Sequence, residues 1–113
     1  MPHAVIEYSR DLEASFDKLA LMQAAHDAML ASGQFGEADV KIRLYPCHDA
    51  LVGGVTAKFV HITVYMLSGR SPAIKKSITT NLLRVLEGLS LSAASLSVDA
   101  RDLEREVYSK ATG

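Results

Sequence analysis

Residues 58–67, KFVHITVYML, decide the fold. Valine, isoleucine, threonine, phenylalanine and tyrosine fill both faces of this run, as they do in strands. Hydrophobicity this continuous predicts a central strand covered on both sides. It runs directly into SGRSP, residues 68–72, which reads as a helix start. Ser71 is the N-cap, and Pro72 takes the first helical position, where a missing N–H costs nothing. Ile74, Ile78, Leu82, Val85 or Leu86, and Leu89 then form a buried stripe at helical spacing.

Working outward, residues 40–47, VKIRLYPC, alternate: Val40, Ile42 and Leu44 on one face, Lys41, Arg43 and Tyr45 on the other. Pro46 and the pair Gly53-Gly54 break that strand into a turn. At the amino end, HAVIEYS (3–9) sets Ala4, Ile6 and Tyr8 against His3, Val5 and Glu7. A helix is expected over about 13–32, with Phe16, Leu19, Met22 or Gln23, His26, and Met29 or Leu30 inward. Asp11 or Ser15 caps its start, and Gly33 stops it. From about residue 95, LSVDARDLERE holds a last strand and a charged tail.

The order strand, helix, strand, strand, helix, strand makes an α+β fold: two βαβ units forming a four-stranded sheet with two helices on one face. Each unit needs a right-handed crossover. The opposite sheet face, with Lys41, Arg43 and Tyr45, is left bare. In a chain this small, another copy of itself is the expected cover.

Composition narrows the function classes. The 113 residues predict one domain, 1–113, and 49% hydrophobic with 22% charged residues is ordinary for a globular chain. A net charge of −1 gives no long-range attraction to nucleic acid or anionic lipid. There is no apolar run of about 18 residues for a membrane span and no secretory pattern at the start. The single cysteine, Cys47, excludes an intrachain disulfide framework and fits a reducing, cytoplasmic setting.

Four residues stand out as chemistry. Pro2 begins a strand, where proline is tolerated because it need not donate to the ladder. If Met1 is removed, the same residue presents a secondary amine. A free α-amino group titrates at about 8 in model peptides, and desolvation or nearby cations lower that value toward the range of a general base. Arg70 lies one residue before the helix N-cap, beside unpaired backbone N–H groups. It reads either as a turn arginine or as a receptor for a carboxylate or phosphate. Lys41 and Arg43 either guard an edge strand against aggregation or flank an anionic substrate. Cys47-His48-Asp49 lacks a second spaced ligand pair, and three consecutive residues cannot all face one metal, so no metal site is assigned. His26 and His61 read as structural.

Together the start MPH, the block FVHITVYML running into SGRS, the strand VKIRLY and the tail ending EVYSK resemble the tautomerase superfamily. The similarity is strongest to its 5-carboxymethyl-2-hydroxymuconate Δ-isomerase branch. That resemblance implies a homotrimeric isomerase of bacterial aromatic-compound catabolism that needs no cofactor. It implies Pro2 as the proton-transfer base, and Arg70, Arg43 and Lys41 as substrate-binding cations. Lys41 departs from the arginine usual in the family, and a lysine cannot form a bidentate clamp. A different class of function, a non-catalytic oligomeric module binding a small carboxylate ligand, fits the same architecture.

Overall fold

The computed structural model describes residues 1–93 and 95–112. Four strands, β1 (His3–Ser9), β2 (Lys41–Cys47), β3 (Phe59–Leu67) and β4 (Ser95–Leu103), form one sheet in the order β2-β1-β3-β4. β1 runs parallel to β2 and antiparallel to β3, and β3 runs parallel to β4. Each parallel pair is bridged by a helix, α1 (Lys18–Ala31) or α2 (Pro72–Gly88). The α+β arrangement of two βαβ units is therefore the observed one. No described helix is long and apolar enough to cross a membrane.

Alternation along the strands fixes which side chains meet the helices. Ala4, Ile6 and Tyr8 of β1 and Val60, Ile62, Val64 and Met66 of β3 are buried with Leu21, Ala25 and Met29 of α1 and Ile78, Leu82 and Leu86 of α2. Burying a leucine of this kind contributes about 1.5–3 kcal/mol. Ser71 caps α2 as expected, its hydroxyl accepting from the Ile74 N–H at 3.3 Å, with Pro72 in the first turn.

The first helix departs from expectation at its start. Arg10–Ser15 form a 3-10 turn that buries Leu12, and Phe16 returns to extended backbone. Asp17, rather than Asp11 or Ser15, is the N-cap, accepting from the Ala20 N–H at 3.1 Å. The inward stripe is Leu21, Ala25 and Met29, and Leu19 is 71% exposed.

The second correction concerns β3. Its inner residues are fully buried, but Phe59, His61, Thr63, Tyr65 and Leu67 are only half-buried. The chain covers one face of this central strand. By register, His3, Val5 and Glu7 share the uncovered face with Lys41, Arg43 and Tyr45 of β2 and with Tyr65, Thr63 and His61 of β3. Between β2 and β3, Val52 and Val55 pair around Gly53-Gly54, whose φ values of 62° and 81° are the left-handed pair a two-residue hairpin turn demands.

Candidate active site at the amino-terminal end of the sheet

β1 and β2 begin at the end of the sheet where the antiparallel β3, and β4 parallel to it, finish. Topology therefore gathers Pro2, Lys41, Arg70 and the segment after β4 at one edge. Pro2 is buried, and its carbonyl accepts from the Lys41 N–H at 3.0 Å, extending the β1–β2 ladder by one residue. The proline that cannot donate is thus seated by the group it can still offer, its carbonyl.

The amino group of Met1, one residue outward, is held below its ordinary range. Partial burial is the main cause, and the Lys41 and Lys110 charges add to it; the Asp39 carboxylate pulls the other way. Asp39 seats both lysines. Its carbonyl accepts from Lys41 Nζ at 2.7 Å, and its carboxylate pairs with Lys110 Nζ at 3.3 Å. Lys110 in turn holds the Asp39 carboxyl below the usual carboxylate range.

Arg43 lies on the uncovered face, where its Nη1 donates to His3 Nδ1 at 3.0 Å. His3 Nε2 meets the Tyr108 hydroxyl at 3.3 Å, with the two rings edge to face. Burial, then Arg43 and Lys41, lower the His3 pKa, so the neutral ring is favoured.

Arg70 is placed differently from its neighbours. Its Nε donates to Gln34 Oε1 at 3.2 Å, Nη2 to the Gln34 carbonyl at 3.1 Å, and Nη1 to the Leu67 carbonyl at 3.3 Å. The guanidinium also lies 4.7 Å from the centre of the Phe35 ring. It ties the turn after α1 to the end of β3. All three guanidinium nitrogens are thus engaged within the chain, and only the Gln34 side-chain amide is a partner that a rotamer change can remove. Gly69, at φ 124°, makes the turn that brings Arg70 under this end of the sheet.

The structure therefore brings Lys41 beside Pro2, and places Arg43 with His3 and Arg70 with Gln34 at the same end. Sequence reasoning missed Asp39, Tyr108 and Lys110. The available signal was the EVYSK tail, which contains two of them.

A cavity of about 910 Å³ lies at the other end of the sheet, lined by Arg10, Asp11, Glu13, Cys47, His48 and Asp49 among others. Three carboxylates in its wall oppose an anionic ligand. Among the described residues no group of three His, Cys, Asp or Glu side chains is placed to hold a metal.

The family described as 5-carboxymethyl-2-hydroxymuconate isomerase matches residues 2–111. Among solved structures, a 5-carboxymethyl-2-hydroxymuconate delta-isomerase is similar with TM-score 0.79 at 24% identity, over 100% of this chain and 89% of that one. A 5-carboxymethyl-2-hydroxymuconate isomerase from Deinococcus radiodurans R1 gives 0.79 at 20% identity, covering 99% and 90%. The W0 fused 4-OT wild-type symmetric trimer gives 0.80 at 19% identity, covering 94% and 91%. No curated protein sequence matches. At these identities the structural likeness establishes the shared fold.

Proposed function

We propose, since the chain belongs to the 5-carboxymethyl-2-hydroxymuconate isomerase family, that this tautomerase-type enzyme works through the amine of Pro2 after removal of Met1. Its substrate is a 2-hydroxydienoate resembling 5-carboxymethyl-2-hydroxymuconate, and its product is the unsaturated 2-keto acid. The reaction is cytoplasmic and cofactor-independent. The observation that carries this reading is the seat of Pro2: buried, fixed through its carbonyl, and one residue from an amino group that burial and two lysines keep below its ordinary pKa.

The chemistry is a proton relay. The neutral proline nitrogen takes the proton from the 2-hydroxyl, the O–H electrons form the carbonyl, and the conjugated double bonds shift. The distant carbon of the dienol then takes the proton back from the prolinium. One base suffices for both transfers, and the substrate's own conjugation moves the electrons. Charge developing on the 2-oxygen and the adjacent carboxylate is held by Lys41, Arg43 and Arg70. For Arg70 this means exchanging the Gln34 side-chain amide for a carboxylate, a stronger, charge-assisted partner.

The uncovered sheet face supports assembly as a homotrimer, with copies of the chain covering His3, Arg43, Tyr65 and their neighbours. Fused 4-OT relatives of the same fold are trimers.

A spectrophotometric assay on 2-hydroxymuconate-type dienols tests the proposal. Pro2→Ala lowers kcat/KM by roughly 10²-fold or more, as loss of a positioned base does. Equal turnover by the two proteins contradicts Pro2 as the base, and no turnover by either favours a carboxylate-binding module.

A further inference from the structure

The segment after β4 does not leave the molecule. Arg105 Nε and Nη2 donate to the Ser68 carbonyl at 3.3 and 3.1 Å, fastening the segment to the end of β3. Tyr108 then reaches His3 at the start of β1. Lys110 reaches Asp39 just before β2. Three contacts to three strand ends make a strap across the sheet edge that holds Pro2. It bridges residues 105 apart in sequence for Tyr108 and 71 apart for Lys110.

We propose that this strap completes the amino-terminal site, with Lys110, seated by Asp39, acting as the positioning residue that keeps positive charge beside the Pro2 nitrogen. The contacts form a continuous path: Lys110 to the Asp39 carboxylate, the Asp39 carbonyl to Lys41 Nζ, and the Lys41 N–H to the Pro2 carbonyl. The inference rests on the assignment of Pro2 as the base.

The charged groups around that nitrogen come from every neighbouring element. Lys41 comes from β2, Asp39 from the turn before it, Lys110 from the strap, and His3 from β1 with Arg43 behind it. At the Met1 amino group, one residue outward, Asp39 favours the protonated form and the two lysines oppose it. Lys41 alone is balanced by Asp39. Lys110 tips the local balance to positive and at the same time screens the Asp39 carboxylate by pairing with it. That excess favours the neutral form of the amine. The segment's charge therefore has a function that its hydrogen bonds alone do not require.

The test is a titration of the Pro2 amine by its ¹⁵N chemical shift in Met1-free protein, with Lys110→Met and Lys110→Arg beside the wild type. Lys110→Met moves the midpoint upward, and Lys110→Arg restores it. In kcat/KM, Lys110→Met loses roughly three- to tenfold on the acid limb and nothing on the alkaline plateau. A midpoint unchanged in Lys110→Met, or an equal loss at all pH values, overturns the inference. The Pro2 assignment fails separately, through a Pro2→Ala protein as active as wild type, and that outcome leaves the ¹⁵N midpoints readable.

Discussion

Arg43 donates to His3 Nδ1 at 3.0 Å, and this contact fixes the state of the imidazole. A guanidinium has no lone pair to offer, so Nδ1 must be the acceptor and the proton sits on Nε2, facing the Tyr108 hydroxyl. A histidinium would set two donors against each other. The lowered His3 pKa agrees in direction with this geometry.

The consequence for stability has a definite sign. With the folded pKa below the unfolded value of about 6.5, the unfolded chain takes up a proton first as pH falls. Stability from this site is complete above the unfolded pKa and is lost as pH drops through the folded one. His3→Gln keeps an acceptor for Arg43 but cannot titrate. Its thermal midpoint will fall less than the wild type's between pH 7.5 and pH 5, and parallel curves would refute the assignment.

Tyr8 provides a second check. Its ring is buried, and its hydroxyl donates to Glu13 Oε1 at 2.6 Å. Burial and this bond push its pKa up to about 12. In an ultraviolet alkaline titration, the Tyr8 step will lie above the ordinary tyrosine range. Tyr8→Phe will remove that step and lower the urea midpoint, because the bond to the Glu13 carboxylate is lost.

Arg70 serves both the fold and the proposed site. Arg70→Lys removes the planar fork that joins Gln34 to Leu67. The variant should lose about 1–2 kcal/mol of stability and raise KM by roughly tenfold, with a smaller change in kcat. A fall in kcat with KM unchanged would mean that Arg70 acts in the transition state alone.

What the sequence made legible was local. Ser71-Pro72 states a helix start in two adjacent residues, and the alternation of Ala4, Ile6 and Tyr8 states a half-covered strand. Read locally, α1 starts at Asp11 or Ser15, and Asp17, an equally capable cap, is passed over. Burial of Leu12 in the 3-10 turn decided for Asp17, and that is a tertiary contact. Pro2, Lys41, Arg43 and Arg70 were visible as candidates from residue type and position, and the family resemblance implied their roles. The Asp39–Lys110 and His3–Tyr108 pairs were not, because nothing local marks partners 71 and 105 residues apart. The continuous hydrophobicity of β3 suggested two covered faces; the chain supplies one, and the proposed assembly supplies the other.

The most direct test of the account compares two proteins that differ by one residue at the start. Dienol ketonisation is measured for untagged protein shown by intact mass to lack Met1, and for the same chain with Met1 retained. The account predicts turnover in the first and a rate lower by roughly 10²–10⁴-fold in the second, where Pro2 is an amide nitrogen with no basicity. Equal rates in the two would contradict it, because no proton could then be passing through the proline nitrogen.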